Sequence, residues 1–213
     1  MLEAQHKVLE YREPKYTEIT ESDVELFKEI NYSSVYARTD EGVKTAISRD
    51  GKHFFVVLVK NDTEIRDDGK VTVDTFTQGW YFPGRITRKI EELFPNSTVR
   101  ATYQFPTPNQ NMDVLQDSLG YDDVIFVTFT EAPAYAGSDH LTHRIVALIN
   151  AMLNSGRVST LLHFGNPYPL YEISHVERLL IGGISADSID VALEILAGER
   201  EAKGKLTYKV DLQ

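Results

Sequence analysis

Three short runs in this sequence are apolar at almost every position. They are residues 53–59 (HFFVVLV), 124–129 (VIFVTF) and 158–164 (VSTLLHF). A strand with one face in water alternates apolar and polar residues, whereas a strand that is buried on both faces does not. Each run is also short and rich in β-branched or aromatic residues, which favours a strand over a helix. The three runs therefore predict central strands of a sheet that is covered on both faces.

Segments with helical periodicity or helix-capping residues separate the apolar runs. Helices are predicted at residues 23–37, 83–94, 112–119, 141–155 and 185–196, and further strands at residues 71–76, 98–105, 179–181 and 205–210. Strands that alternate with helices form parallel sheets, because each helix returns the chain through a right-handed crossover. The pattern predicts a flavodoxin-like α/β fold, a three-layer sandwich in which helices cover both faces of a mostly parallel sheet.

The first predicted helix begins with the capping-box residues Ser22 and Glu25, whose side chains can each accept a hydrogen bond from a backbone N–H. Val24, Phe27 and Ile30 then share one face of this helix, and in a layered fold such a face covers the sheet. Residues 1–21 are charged and show no period. We interpret them as a lead-in or linker, and residues 22–213 as one domain.

The chain of 213 residues carries a net charge of −10. This charge disfavours nucleic acid and anionic membrane surfaces as partners, because both repel an acidic protein. The sequence contains no cysteine, which excludes disulfides, thiolate metal sites and cysteine nucleophiles. No apolar run is long enough for a membrane span or a signal peptide. We therefore expect a cytoplasmic protein. A second copy of the chain, in a homo-oligomer, is a separate expected partner.

The glycine motifs that bind nucleotide phosphates are missing from this sequence. Neither GxGxxG nor GxxxxGK[ST] occurs, so the usual cradle for a dinucleotide or a nucleoside triphosphate is absent. The GxSxG elbow that carries the nucleophile of many serine hydrolases is also absent. We therefore expect no cofactor.

Asp139, His140 and His143 lie together at the start of the helix predicted at residues 141–155. Residues three apart share a helix face, so this group could be a metal or acid–base site. The alternative is an aspartate that stabilises the helix N-terminus beside two solvated histidines. Because no third ligand is visible nearby, we expect the alternative and no metal.

Three further candidates follow the apolar runs, where α/β proteins usually bind ligands. Glu131 and Tyr135 come directly after the second run, in what is either an acid–base site or an ordinary surface loop. Asn166 follows the third run in a Gly-Asn-Pro turn, and its side chain either binds a ligand hydroxyl or forms the turn. His163 lies inside that run, which predicts a core histidine with a satisfied hydrogen bond.

The carboxyl-terminal third of the sequence has a recognisable pattern. HFGNPYPL at residues 163–170 is followed by GGISADSIDVALEILAGEREAKGKLTYKV at residues 182–210. This order resembles the end of the carboxyl-terminal α/β sandwich domain of glycoside hydrolase family three, whose members read (R/G)NPYDL, then LFGE and GKLPV. The loop TEAPAYAGSD at residues 130–139 is similar to the GExPYxExxGD loop of that family. The resemblance covers residues 22–212.

The resemblance implies a companion domain and not a complete enzyme. In this family of β-N-acetylglucosaminidases and β-glucosidases, the aspartate nucleophile lies on a separate (β/α)8 barrel, for which 213 residues leave no room. Ala136 or Gly137 stands where the second glutamate of the loop would be, so the acid–base residue of β-glucosidase-type members is also missing. A retaining glycosidase needs two carboxyl groups about 5 Å apart, and this chain supplies neither.

The domain implied by the resemblance, of the β-N-acetylglucosaminidase type, packs against a catalytic barrel and lines its sugar site without hydrolysing glycosides itself. The substrate-binding residues it implies are Glu131, Tyr135, Asp139, His140 and Asn166. A large exposed apolar patch should then mark the interface with the barrel. Two alternatives stay open. One is a stand-alone carbohydrate-binding or assembly module, and the other is an independent α/β enzyme that uses Asp139, His140 and Glu131.

Overall fold

The computed structural model describes residues 18–59, 61–65, 71–75, 83–130 and 141–206, and for residues 61–65 and 71–75 it describes the backbone alone. The strands are β1 (Tyr36–Thr39), β2 (His53–Val59), β3 (Asn61–Ile65), β4 (Val71–Thr75), β5 (Thr98–Tyr103), β6 (Asp123–Thr130), β7 (Val158–Gly165) and β8 (Arg178–Gly182). The helices are α1 (Glu21–Ser34), α2 (Pro83–Leu93), α3 (Pro108–Asp117), α4 (His143–Asn154) and α5 (Ala186–Leu196), with a 3₁₀ turn at Tyr168–Glu172.

Six of the strands form one sheet in the order β5-β2-β6-β7-β8-β1. The first five strands of this order run parallel, and β1 pairs antiparallel with β8 at the edge. If the five parallel strands are numbered along the chain, their order across the sheet is 2-1-3-4-5, which is the flavodoxin-like arrangement. The predicted fold class is therefore confirmed.

The core is built from the apolar runs and from the apolar faces of four helices. Every residue of β2 is buried, and β6 and β7 are buried over nearly their whole length. Helix α2 packs against α5, and α3 donates a hydrogen bond to α4, so the helices form the two outer layers. The predicted apolar faces of α2, α4 and α5 are confirmed, since their buried residues include Ile86, Ile90, Ile145, Ile149, Ile189 and Leu193.

The predicted bounds and cap of the first helix were wrong. Thr20, not Ser22, is the N-cap: its hydroxyl accepts a hydrogen bond from Asp23 N at 3.3 Å, and the Asp23 carboxylate accepts one from Thr20 N at 2.8 Å. The helix ends at Ser34, because Tyr36 and the residues after it pair with β8 as an edge strand. Its predicted apolar face is not buried by the domain, as no residue of α1 is buried.

The predicted edge strand at residues 205–210 was also wrong where it can be tested. Lys205 and Leu206 are not in a strand, and residues 207–210 lie outside the described residues. The place beside β8 is taken by β1 instead. Just before Lys205, the Gly204 N–H donates a hydrogen bond to the Val35 carbonyl at 2.9 Å. The chain therefore crosses the start of β1 instead of extending the sheet.

Two other segments differ from the sequence pattern in smaller ways. Helix α3 begins at Pro108 and not at Met112, because Thr107 and Gln110 form a capping box ahead of it. The predicted strand at residues 71–76 is β4, and it pairs antiparallel with β3, which the polar sequence NDTEI did not indicate. This separate two-stranded sheet lies between β2 and α2 in the chain.

Candidate functional site

The carboxyl ends of β6, β7 and β8 lie side by side at one edge of the sheet. In the register of these strands, Thr130 is opposite Gly165, and Phe164 is opposite Gly182. Ligands of open α/β sheets bind outside the carboxyl ends of the strands. This edge is therefore the candidate site, and we call it the carboxyl edge.

Of the five substrate-binding residues that the resemblance implies, Asn166 alone lies in the described part of the chain. Glu131, Tyr135, Asp139 and His140 fall in residues 131–140, which are outside the described residues. The roles of these four side chains therefore stay predictions. In sequence, the segment that contains them begins directly after Thr130, the last residue of β6.

The Asn166 side chain shapes the turn after β7. Its Oδ1 accepts a hydrogen bond from the Tyr168 backbone N–H at 3.2 Å, which starts the 3₁₀ turn. Its Nδ2 has no hydrogen-bond partner among the described residues, and the residue is partly exposed. The carbonyl half of the amide thus forms the turn, while the two N–H donors of the other half stay available.

A buried histidine holds the backbone of this turn. His163 is fully buried, and its Nδ1 lies 2.9 Å from the Thr128 hydroxyl. Its Nε2 lies 2.8 Å from the Asn166 carbonyl oxygen and 3.0 Å from the Thr130 hydroxyl. Thr128 and Thr130 are two residues apart on β6, so both side chains project from the face that His163 shares. The predicted core histidine with satisfied hydrogen bonds is confirmed.

A neutral ring with its proton on Nε2 satisfies the hydrogen bonds of His163. The Asn166 carbonyl can only accept, so Nε2 must be the donor to it. In this tautomer Nδ1 accepts from the Thr128 hydroxyl, which lies 2.9 Å from Nδ1 and 3.2 Å from the Leu162 carbonyl oxygen, its other possible acceptor. Burial lowers the pKa of His163 from 6.5 to about 4, because the protonated ring would lose its hydration. His163 is thus a positioning residue that fixes the turn and does not reach the surface.

Exposed apolar side chains surround the carboxyl edge. Tyr103 ends β5 and Phe105 follows it, Tyr168 follows β7, and Ile184 follows β8, and all four are exposed. Tyr168 is the most exposed of the four, at 69%. We call these four residues the carboxyl-edge rim. These side chains lie at or just after the ends of three parallel strands, so a partner or ligand at this edge of the sheet could contact them.

The histidines at the start of α4 provide no support for a metal site. His143 is exposed at the first position of this helix, and the described residues contain no group of three or more His, Cys, Asp or Glu side chains that could hold a metal ion. Asp139 and His140 lie outside the described residues.

Among the helices that the structure describes, none has the length and apolar character needed to cross a membrane.

The opposite edge of the sheet holds a polar cluster that the sequence did not indicate. Here the Ser159 hydroxyl donates to the Asp123 carboxylate, and Arg178 Nη1 donates to Ser159 Oγ at 2.8 Å. Arg178 Nε also donates to the Lys44 carbonyl at 2.7 Å. Burial raises the pKa of the Asp123 carboxyl. These bonds attach the loop before β2 to the strands beside a cleft of about 600 Å³.

The polar groups of this cluster bind one another, which favours a structural role. His53 contributes a further internal bond, since its Nε2 lies 2.7 Å from the Ser48 carbonyl oxygen, although its buried Nδ1 has no hydrogen-bond partner among the described residues. The cluster also lies at the amino-terminal ends of the strands, whereas ligands of this fold class bind at the carboxyl ends. The carboxyl edge therefore remains the candidate site.

Comparison of the structure with solved structures identifies enzymes that contain the same fold as part of a longer chain. A glycoside hydrolase family 3 β-N-acetylglucosaminidase from Paenibacillus sp. str. FPU-7 matches with a TM-score of 0.65 and 13% identity, covering 91% of this chain and 34% of that chain. A β-glucosidase from Listeria innocua in complex with isofagomine matches with a TM-score of 0.59 and 11% identity, covering 93% of this chain and 28% of that chain.

A β-glucoside phosphorylase, BglX, matches with a TM-score of 0.56 and 17% identity, covering 96% of this chain and 36% of that chain. No protein-family model and no curated protein sequence matches the chain. The chain therefore shares its fold with a part of these enzymes and spans about a third of their length. The predicted resemblance to a domain of family-three glycoside hydrolases is confirmed at the level of the fold.

Proposed function

We propose that this chain is the companion domain of a family-three glycoside hydrolase, of the β-N-acetylglucosaminidase type, and that it works against a catalytic barrel. The observation that carries the proposal is the asymmetry of the structural matches. The Paenibacillus enzyme covers 91% of this chain, but this chain covers only 34% of that enzyme. A domain that matches one third of an enzyme can take the place of that third, and the other two thirds would come from the barrel.

The carboxyl edge is the surface by which we propose that the domain meets the barrel. Tyr103, Phe105, Tyr168 and Ile184 are exposed around it, and a partner surface would bury them. Burying a large apolar side chain contributes roughly 1.5–3 kcal/mol relative to leaving it exposed. These side chains are already partly covered, so the gain on docking is a fraction of that for each.

The Asn166 turn and the loop at residues 130–139 would form one wall of the sugar site. The Asn166 Nδ2 donors are free among the described residues, and a sugar hydroxyl is a suitable acceptor. His163 holds the Asn166 backbone carbonyl in place, and the hydrogen bond from Tyr168 N to Oδ1 orients the side-chain amide. Glu131, Tyr135, Asp139 and His140 are the further residues that the family resemblance assigns to this wall.

The proposal is tested by assays with and without a barrel. The 213-residue chain alone should not hydrolyse aryl β-N-acetylglucosaminide or aryl β-glucoside. The genome should encode a family-three barrel in frame with the chain or in a neighbouring gene. Addition of the chain to that barrel should raise kcat/KM at least tenfold on the matching substrate. Where one reading frame encodes both, the complete polypeptide replaces the mixture, and the Asn166→Asp variant of that polypeptide should lose activity.

Two results would contradict the proposal. One is substantial turnover by the isolated chain, because that requires catalytic carboxyl groups within the chain itself. The other is a genome without any family-three barrel, since the companion domain would then have nothing to complete.

A stand-alone carbohydrate-binding module is the second candidate. It is favoured by the combination of Asn166 Nδ2, which has no partner among the described residues, with Tyr168, a highly exposed aromatic side chain two residues later. An aromatic ring beside a hydrogen-bond donor suits the apolar face and the hydroxyl edge of a sugar. Calorimetry of the isolated chain with N-acetylglucosamine, chitobiose and cellobiose distinguishes the two candidates. This module should bind a sugar without a barrel, whereas the companion domain needs the barrel.

A further inference from the structure

Helix α1 exposes a continuous apolar face. None of its residues is buried, and Leu26, Phe27 and Ile30 are 56%, 61% and 52% exposed. Leu26 and Ile30 are one helical turn apart and Phe27 lies beside them, so the three side chains share one surface. We call these three residues the α1 apolar face. Val24 and Ile19 are also exposed and lie toward the start of the helix.

Other residues of α1 already attach the helix to its own domain. Tyr32 packs against the hydrophobic core, and the guanidinium carbon of Arg200 lies 4.2 Å from the centroid of its ring. Asn31 Nδ2 donates a hydrogen bond of 3.3 Å to the Asp187 carboxylate in the first turn of α5. The carboxyl-terminal half of α1 is therefore held in place, while the part of the chain that the structure describes leaves the α1 apolar face uncovered.

This arrangement is unusual for a helix of this length. An isolated helix of about 14 residues is marginal in water, and most helices in proteins are stabilised because they bury an apolar face. Helix α1 has such a face, but no described residue of its own domain covers it. An apolar helix face that stays exposed on a folded domain is typical of a docking site.

The charges of α1 indicate which kind of surface it can dock. Its four acidic residues are Glu21, Asp23, Glu25 and Glu29, and Lys28 is its one basic residue. The whole chain carries a net charge of −10. A second copy of the chain would place acidic residues against acidic residues, which is unfavourable. A partner with an apolar groove bordered by Lys and Arg would complement both the apolar face of α1 and its negative charge.

We infer that the α1 apolar face docks onto an apolar groove of the catalytic barrel that basic side chains border. This inference rests on the proposed function, which supplies the barrel as the partner. It is also supported by continuity, because the bond from Asn31 to Asp187 places the end of α1 beside the start of α5. Ile184 of the carboxyl-edge rim comes just before that helix. The carboxyl-terminal end of α1 thus lies beside the helix that follows Ile184 of the carboxyl-edge rim.

Hydroxyl-radical footprinting with mass spectrometry tests the inference in the unmodified protein. Labelling of Leu26, Phe27 and Ile30 is compared between the chain alone and the chain with the barrel from the same genome. Where one polypeptide holds both, that polypeptide is the second sample. Labelling should fall at least fivefold when the barrel is present. Met112 and Leu119 are internal controls, because they are similarly exposed on and after α3, and their labelling should not change.

Substitutions provide the second measurement. Leu26→Ser, Phe27→Ser and Ile30→Ser together should weaken binding to the barrel at least tenfold, and Met112→Ser with Leu119→Ser should leave it unchanged. Glu25→Lys with Glu29→Lys should also weaken binding and should reduce its dependence on salt, since attraction between exposed charges is screened by salt. In a single polypeptide, hydrogen exchange of α1 replaces the binding measurement.

The outcomes separate this inference from the proposed function. If the barrel binds but α1 stays fully labelled, the inference is overturned and the companion role stands. If the barrel protects no surface of the chain, both are overturned. If α1 becomes protected in the isolated chain as its concentration rises, a second copy is the partner, and the choice of the barrel is overturned.

Discussion

Gly165 passes so close to Thr130 that a Cβ atom added to the glycine would lie 1.8 Å from the Thr130 carbonyl oxygen. Gly165 also has a φ of +105°, a backbone conformation that side chains other than hydrogen strongly disfavour. The same carbonyl oxygen accepts a hydrogen bond from Asn166 N at 3.3 Å. The ends of β6 and β7 therefore meet at a distance that a glycine alone permits.

Replacing Gly165 with alanine should destabilise the protein by more than about 3 kcal/mol, because the added Cβ meets backbone that cannot move independently. Gly156→Ala is the matched control. Gly156 also has a positive φ, of +69°, but an added Cβ would meet nothing within 4 Å. The control should cost only about 1 kcal/mol. Urea denaturation measures both values, and equal losses would show that steric contact with Thr130 is unimportant.

His163 should make the stability depend on pH. Its pKa is about 4 in the folded protein and 6.5 in the unfolded chain. Between these values the unfolded state binds a proton that the folded state does not, so the free energy of unfolding falls as the pH decreases. The loss is about 1.4 kcal/mol per pH unit and reaches roughly 3 kcal/mol by pH 4. Above pH 6.5 this contribution is constant.

The pH effect of His163 is isolated by comparison with His163→Gln, which keeps an N–H donor near the Asn166 carbonyl but does not titrate. Denaturation curves of both proteins are measured from pH 7.5 to pH 4.5. The stability of the wild-type protein should fall more steeply, by about 2–3 kcal/mol over this range. If the stability of both proteins falls equally with pH, His163 is not the cause of the pH effect, because the carboxyl groups titrate in both proteins alike.

Two substitutions at Asn166 separate its turn role from a ligand role. Asn166→Asp keeps the oxygen that accepts from Tyr168 N but removes the Nδ2 donors, so stability should change by less than about 0.5 kcal/mol. Asn166→Ala removes the acceptor oxygen as well as the Nδ2 donors and should lower the free energy of unfolding by about 1 kcal/mol. If the amide binds sugar, Asn166→Asp should weaken sugar binding, or the activity of the complex with the barrel, at least tenfold. Unchanged binding with Asn166→Asp would limit Asn166 to forming the turn.

The stability of the isolated chain should not depend on the α1 apolar face. Because Leu26, Phe27 and Ile30 are more than half exposed, changing each to serine should alter the free energy of unfolding by less than about 0.5 kcal/mol. Ile189→Ala in α5 provides the contrast, as Ile189 is fully buried and its truncation should cost about 2–5 kcal/mol. A large loss from the serine changes would mean that α1 packs on its own domain after all.

The central strands of the sheet were predicted well because the requirement for apolar residues applies within each short strand. Strands β2, β6 and β7 are buried on both faces, so almost every residue in them must be apolar. The edge strand β1, with the sequence YART, carries no such pattern. Its partner β8 lies far along the chain, and pairing at that separation leaves no mark in a short segment.

Helix α1 shows where apolar periodicity is ambiguous. The pattern of Val24, Phe27 and Ile30 correctly indicated a helix, but these side chains are exposed and not part of the core. Periodicity records that a face will be buried, and it does not record whether the chain itself or another protein buries it. At the carboxyl edge, the roles of His163 and Asn166 were among the sequence alternatives. The close approach of Gly165 to Thr130 was not, because it depends on how two strands end beside each other.

The contact between Gly204 and Val35 bears on how this domain can be joined to others. A Cβ on Gly204 would lie 2.5 Å from the Val35 backbone carbon, so the segment leaving α5 touches the point where the chain enters the sheet. The part of the fold that follows α1 therefore begins and ends at one corner. Further segments can be joined to it at that corner without stretching either connection. This arrangement is compatible with a fold that forms one part of longer enzymes.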